Sequence, residues 1–357
     1  MVWPARPFRV RCGRQRQGRA RACLRGSVAV SLAAALTATA RSRRPWWPVA
    51  AALLAPAPDE EVLTVATFNL RADFKEDRAI GQGWQERQGL VAGVLLGRRC
   101  DLVGTQEGLP HQLRGLDAEL ESRSSQASCT PAWARCGRGR GWLGGGEHCA
   151  IYIRQGALQL LEEGTFGLSE CPESIGRRDW GAACPRIATY ALLQAPGGSA
   201  LLVLNTHLDH VSEDARRRGA LLVAERAAKL EALIPETMPL AGTIVLGDFN
   251  CAQRSSADSF LPAGCSSGAF AALAAAGFRS ASEVASGPLP QRTFHAWRGS
   301  EVAANFGEGP SAAAGHIDWV LWRGPGLRPK SFEVVCSTGT GGVLPSDHFP
   351  VLVDFAV

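Results

Sequence analysis

The sequence predicts an α/β fold in which two mixed β-sheets pack face to face and helices cover their outer sides. Three observations predict it. From Glu61 onward strand-like and helix-like segments alternate, the strands outnumber the helices, and six apolar runs stop at a short polar motif. The 357 residues are 46% hydrophobic and 20% charged, which suits one large domain and excludes a disordered or collagen-like chain.

The elements follow in order. Val62–Leu70 is a run of β-branched and apolar residues, a buried strand. Trp84–Arg99 carries Leu90, Val91, Val94 and Leu95 at helical spacing and reads as an amphipathic helix. Asp101–Glu107 is a short strand, and Pro110–Leu120 is a helix with proline near its start. Ser122–Gly146 is rich in Gly, Ser and Arg, hence a loop. Cys149–Arg154, Leu158–Leu161, Ile187–Leu193 and Leu201–Thr206 read as successive strands. Ser212 is placed to cap a helix that runs to Leu233. Thr243–Leu246 is a strand ending in Gly247-Asp248-Phe249-Asn250, and Ala269–Gly277 is a helix. Ile317–Trp322, Phe332–Cys336 and Phe349–Phe355 are further strands, and no internal repeat is present.

Residues 1–58 read as a targeting arm and residues 59–357 as the folded domain. The arm holds 11 Arg, no Lys and no acid, a composition like that of a mitochondrial or plastid transit peptide. Arg43-Arg44 ahead of the apolar Pro48–Ala57 also fits a twin-arginine-like export signal, and a plain arm without an address is the blander alternative. Val28–Ala40 is apolar but shorter than the roughly 20 residues of a membrane span, so no stable span is expected.

The arm also distorts the charge. Of 38 basic residues 11 lie in it, so the remaining 27 face 33 acidic residues and the domain carries about −6 rather than the whole chain's +5. Long nucleic acids are held by releasing counterions onto a basic surface, and this domain lacks that surplus. Eleven cysteines are many for a reduced compartment, yet there is no C-x-x-C pair and no zinc-finger spacing. Cys129, Cys136, Cys149, Cys171 and Cys184 either form disulfides in an oxidising lumen or pack as small hydrophobes.

The polar motifs at the run ends carry the chemistry. Glu107 follows Leu102-Val103, and an anionic oxygen at a buried strand end needs a cation or several donors. A hard cation such as Mg²⁺ takes one or two carboxylates plus water and phosphate oxygens, so Glu107, the Asn69 amide oxygen and Asp347 are candidate ligands. Asp248 and Asn250 lie two apart and would share a strand face, where Asp248 accepts a proton from water and Asn250 orients it; alternatively Gly-Asp-Phe-Asn is a turn. Asp318 and His348 suit a carboxylate–imidazole pair on adjacent strands, with the charged His348 stabilising phosphoryl oxygens. His207 and His210 follow Leu201–Thr206 and can reach the same rim. A His pair without a third His or Cys nearby in sequence does not make a zinc site. Trp84, Trp180 and Trp297 are available to stack on a base or to fill the core.

Taken in order, Phe68-Asn69, Gln106-Glu107, Asn205-Thr206-His207-Leu208, Gly247-Asp248-Phe249-Asn250, Ile317-Asp318 and Ser346-Asp347-His348 resemble the motifs of the endonuclease/exonuclease/phosphatase (DNase I-like) superfamily, over about Val62 to Val357. The resemblance implies a four-layer α/β sandwich, dependence on Mg²⁺ or Mn²⁺, and hydrolysis of a phosphomonoester or phosphodiester by an activated water. It implies Glu107 as main metal ligand with Asn69 beside it, Asp347 near the metal, and Asp248 positioning the water with Asn250. Asp318 pairs with His348, and His207 lies against the phosphate. Gly164–Glu170, Trp180-Gly181-Ala182 and Pro185-Arg186-Ile187 are similar to an uncharacterised bacterial-type branch, on the nocturnin and deadenylase side. Here Gly167 and Cys171 replace that branch's usual Trp and Thr. Arg186 and His210 are the expected substrate contacts. The implied partner is a phosphorylated small molecule, a nucleotide or a short nucleic-acid end; nothing in the sequence sets an oligomeric state. The rival reading is a binding module that keeps the fold without the reaction.

Overall fold

The computed structural model describes residues 61–126, 132–252, 268–286, 292–299, 315–336, 339 and 341–357. The targeting arm, Cys129 and Cys265 lie outside the described residues. In chain order the elements begin β1 (Val62–Asn69), α1 (Lys75–Ala79), α2 (Trp84–Gly97), β2 (Leu102–Gly108), α3 (Pro110–Gln126), β3 (Trp133–Cys136), β4 (His148–Arg154) and β5 (Gln159–Gly167). They continue β6 (Ile187–Gln194), β7 (Ala200–His207), α4 (Glu213–Glu231), β8 (Leu240–Asp248), α5 (Gly268–Ala275), β9 (Arg279–Ser280), a 3-10 turn (Ala281–Val284), β10 (Asp318–Arg323), β11 (Arg328–Val334) and β12 (Val351–Ala356).

Two six-stranded sheets result, ordered β11-β12-β1-β2-β4-β3 and β5-β6-β7-β8-β10-β9. Both are mixed: β1 with β2 and β7 with β8 run parallel across helical crossovers, and the other pairs are antiparallel. The period of two along each strand builds the layers. In β7, Leu201 and Val203 enter the core between the sheets while Leu202 and Leu204 pack under α4 and α5. In β10, Val320 and Trp322 face inward and Trp319 and Leu321 outward. Ala66 and Phe68 of β1 and Val103 of β2 meet Trp84, Val91 and Leu95 of α2 on the opposite side. Helices, sheet, sheet and helices therefore form the four-layer α/β sandwich, and strands buried on both faces read as unbroken apolar runs. Ser212 caps α4, accepting from Ala215 N at 3.2 Å.

Three readings of the sequence are corrected. Ser122–Gly146 is not all loop, because α3 continues to Gln126 and β3 follows. β3 is an edge strand, paired only with β4, so Trp133, Ala134 and Arg135 are half-buried and show no alternation. β11 starts at Arg328, where an exposed edge carries Arg328 and Lys330 instead of an apolar run. Lys75–Ala79 forms a short helix without an apolar period. Among the described residues, Cys100, Cys136, Cys149, Cys171, Cys184, Cys251 and Cys336 are all free thiols, and Cys136 and Cys149 are buried. No helix among the described residues is long and apolar enough to cross a membrane.

Candidate active site

The inner faces of both sheets change character at one end. Along β1 the inward positions run Leu63, Val65, Thr67, Asn69, and along β7 Leu201, Val203, Asn205, His207. On β8, Ile244 and Leu246 lead to Asp248, and antiparallel β10 starts at Asp318 before Val320 and Trp322. Register aligns these ends, with His207 and Asp318 both opposite Asp248, and Asn69 opposite Gln106. The polar ends are tied across the sandwich. Gln106 Nε2 donates to Asn205 Oδ1 at 2.7 Å, and Asn205 Nδ2 donates to Ala150 O at 2.8 Å. Gly104 permits that approach, since a Cβ there would stand 2.0 Å from Leu246 Cδ1 and 2.9 Å from Asn205 Cγ.

Regular alternation would turn Glu107 outward. Its φ of +63°, beside a register irregularity between Thr105 and Gly108, re-aims it to the rim. Such backbone in a non-glycine residue costs about 1–3 kcal/mol and gathers at functional sites. Asn69 Nδ2 then donates to Glu107 Oε1 at 2.9 Å and to Asp248 Oδ2 at 3.0 Å, while Ala72 N donates to Glu107 Oε2 at 3.0 Å. Asn69 Oδ1 accepts from Arg71 N at 2.9 Å. Asn69 thus presents its nitrogen, not the expected oxygen, to the carboxylates, because the oxygen is taken by the backbone.

Asp248 and Asn250 do not share a strand face. β8 ends at Asp248, and Asn250 has φ +50° in the turn that follows, with its N–H on Asp248 Oδ1 at 2.9 Å. The turn swings Asn250 Nδ2 to 3.0 Å from His207 Nε2. His348 Nδ1 lies 2.9 Å from Asp318 Oδ2. The expected pair is made, but not on adjacent strands: Asp318 opens β10 in one sheet and His348 precedes β12 in the other. Phe294 covers the His348 ring, centroids 5.0 Å apart. Asp347 stands 3.6 Å from Arg71 Nε and 4.0 Å from His348 Nε2.

Electrostatics separates these groups. Burial would lower His348, but Asp318, then Asp347 and Asp248, hold it up at about 10, so it is an imidazolium. Burial, then Asp318, raises Asp248 to about 7. Burial also raises Asp347 to about 6, against the pull of His348. For Glu107 burial is outweighed by Ala72 N–H, Asn69, His348 and Arg71, which hold it below the usual carboxylate range. His207 lies well below its ordinary value, through burial and then Arg186 and Arg140.

Ligand atoms of Glu107, Asp248 and His348 lie within 4.8 Å of one another. An imidazolium ligates nothing, so the donors are the Glu107 and Asp248 carboxylates with Asp347 beside them. Two buried acids held toward their protonated forms, and an Asp318 Oδ1 with no partner among the described residues, mark uncompensated negative charge. A hard divalent cation that prefers oxygen fits this set.

The rim opens into a cleft of about 740 Å³ whose other end is basic, with Arg140, Arg186 and His210. Arg186 Nη2 is 2.8 Å from His210 Nδ1 and its Nε 3.5 Å from Asp209 Oδ2. Cys184, Asp209 and His210 also bring ligand atoms within 4.8 Å of one another. Arg186 runs through that group and occupies the His210 Nδ1 lone pair, which disfavours a metal there. The structure therefore brings Asn69, Glu107, His207, Asp248, Asn250, Asp318, Asp347 and His348 to one rim, with Arg186 and His210 along the same cleft. Of the three tryptophans, Trp84 opens α2 and is buried against α3, and Arg87 lies between Trp84 and Trp297, with its guanidinium 5.3 Å and 5.1 Å from their rings.

Arg71, Arg140 and Glu147 escaped the sequence reading. Arg71 follows the Asn69 motif directly and shared its signal, whereas Arg140 sits in Gly-Arg-Gly-Arg-Gly, which looks like any solvated loop.

The Endonuclease/Exonuclease/phosphatase family matches residues 66–348. Among solved structures, an endonuclease/exonuclease/phosphatase from Bacteroides vulgatus superposes with a TM-score of 0.65 at 28% identity, covering 83% of this chain and 99% of that one. A mannosyl-6-phosphatase of Bacteroides thetaiotaomicron also gives 0.65, at 26% identity over 83% of this chain and 100% of its own. The fold alone extends to D. rerio TDP2 in complex with a single-strand DNA product, TM-score 0.55 at 15% identity, covering 84% of this chain and 100% of that one. No curated protein sequence matches this chain.

Proposed function

This chain belongs to the endonuclease/exonuclease/phosphatase family, a fold of metal-dependent phosphoesterases, and on that footing we propose that it hydrolyses a small phosphomonoester such as a sugar phosphate. The observation that carries the proposal is the single rim where strand ends of both sheets bring together Glu107, Asp248 and the Asp318–His348 pair. The similarity to a mannosyl-6-phosphatase, the modest cleft and the negative domain favour a small substrate over a long polymer.

The reaction needs an in-line water, a counter-charge for the phosphoryl oxygens and donors for the charge that develops as the leaving oxygen departs and is protonated by solvent. A bound Mg²⁺ or Mn²⁺ held by Glu107, with Asp248 and Asp347 near, would supply Lewis acidity to the phosphoryl oxygens. Asp248, raised toward neutrality, accepts the proton of the attacking water, and Asn69 fixes its carboxylate. Asn250 and neutral His207 orient the phosphoryl group. The His348 imidazolium, held by Asp318, binds the oxygens most strongly as charge develops. Arg186 and His210 contact the rest of the substrate.

Purified chain with Mg²⁺ is to be offered hexose 6-phosphates, nucleotides, short oligonucleotides and phosphorylated lipid head groups. Release of inorganic phosphate from a hexose phosphate is expected; cleavage of diesters alone would overturn the proposal. A second reading, a nucleotide or short 3′ end as on the nocturnin and deadenylase side, is favoured by Phe74. That ring lines the cleft 41% exposed, with the Arg71 guanidinium 4.7 Å from its centroid, a platform on which a base can stack.

We propose separately that residues 1–58 direct the chain to an organelle, plastid or mitochondrion, because they hold 11 Arg and no acid. Tagged full-length and truncated chains should then localise differently, and one diffuse pattern for both would refute it.

A further inference from the structure

We propose that Arg140 and Arg186 form a second oxyanion subsite, so that the preferred substrate carries a second phosphoryl group besides the one cleaved. The proposal rests on the phosphomonoesterase reading above and extends it to substrate class.

Arg186 supplies the first observation. Only 5% of the residue is exposed, yet its Nη1 finds no partner among the described residues. A buried N–H of a charged group without an acceptor is costly, and an oxyanion oxygen that accepts it removes that cost. Asp209 does not absorb it. Its Oδ1 accepts from Val211 N at 2.9 Å and Ser212 N at 2.8 Å, and its Oδ2 from Ala183 N at 3.0 Å. That leaves Arg186 Nε a distant 3.5 Å contact.

Arg140 supplies the second. Its Nη2 pairs with Glu147, but its Nη1 rests on weak acceptors, Cys184 Sγ at 3.1 Å and Pro185 O at 3.5 Å. Both guanidinium groups, with Glu147 and His210, line the cleft of about 740 Å³, which has room for a second phosphoryl group. His210, whose Nδ1 faces Arg186 Nη2, keeps its ring proton on Nε2 as a further donor. Planar guanidinium forks match a tetrahedral oxyanion two bonds at a time. The cleaved phosphoryl group already has His348, His207 and Asn250 at the acidic end, so the arginines serve another one.

Two measurements test this. Wild-type chain should turn over a hexose 1,6-bisphosphate with kcat/KM about tenfold or more above the hexose 6-phosphate, the size of one or two charged hydrogen bonds. That ratio should fall toward one in Arg186→Gln and in Arg140→Gln combined with Glu147→Gln, a pair that leaves no unpaired charge. Independently of turnover, inorganic sulfate titrated by calorimetry in EDTA should bind about tenfold more weakly to both variants than to wild type. Equal kcat/KM for the two substrates in wild type, or sulfate binding indifferent to both arginine variants, would overturn the subsite. If neither hexose phosphate is cleaved, the proposed function falls while the sulfate titration still decides the subsite.

Discussion

The two ends of the cleft are made of different material. At the acidic end Asn69, His207, Asp248 and Asp318 are the last or first residues of core strands, held by ladder hydrogen bonds and sheet-to-sheet clasps. At the basic end Arg140 lies in the connection between β3 and β4, Arg186 just before β6, and Asp209 and His210 just after β7. Strand ends inside a packed sandwich hold a constellation to the tolerance chemistry demands, whereas connections can change sequence without disturbing the core. The contrast suggests a division of labour, reaction at the strand ends and selection in the loops.

The division breaks first, if it breaks, at the acidic end. EDTA should abolish hydrolysis and Mg²⁺ or Mn²⁺ restore it, and Glu107→Gln should lower kcat by about 10³-fold or more, as loss of a principal electrostatic group does. Full activity in EDTA would sink the metal assignment.

His348→Ala should cost about 10²-fold in kcat, and Asp318→Asn much of the same loss. The double variant should add little to the worse single one, because residues that act as a unit are non-additive; fully additive losses would show two independent residues. Melting curves in EDTA check His348 a second way, together with Asp248. His348 is raised from 6.5 to about 10 and Asp248 from 3.8 to about 7, so both bind their protons more tightly in the folded state. Their stabilisation is complete below the unfolded values and is lost as pH rises, through about 7 for Asp248 and about 10 for His348. The melting temperature in EDTA should therefore fall between about pH 6 and 9, and His348→Gln should flatten the decline. His210 at the basic end has the opposite sign, being lowered by burial and then Arg186, so its share of stability is lost as pH falls.

A smaller effect is expected at the basic end. Arg186→Lys keeps the charge but loses the fork, and should raise KM about tenfold with little change in kcat. A kcat loss equal to that of His348→Ala would erase the distinction between the two ends. The smallest effect tests the arm. Removal of residues 1–58 should leave both constants within about twofold, below the ~0.5 kcal/mol typical of sites remote from function; a large rise in KM would mean that the arm's arginines supplement the basic end.

Much of the fold was legible because strands buried on both faces leave apolar runs that no loop imitates, as Val62–Asn69 and Ala200–His207 show. Edge strands such as β3 and β11 left no such mark, since one open side admits Arg135, Arg328 and Lys330. The acidic end was legible for the same reason as the core: Asn69, Glu107, His207, Asp248, Asp318 and His348 each stand where an apolar run stops, and those stops are local in sequence. Three things were decided only by the tertiary structure. The left-handed backbone of Glu107 and Asn250 aims them at the rim against strand alternation. His348 and Asp318 meet across the two sheets rather than along one. Arg140 reaches Cys184, 44 residues away in sequence, from a glycine-rich loop. A side chain's partner depends on the register and separation of two sheets, which arise from packing of the whole chain and leave no periodic signal in any one segment.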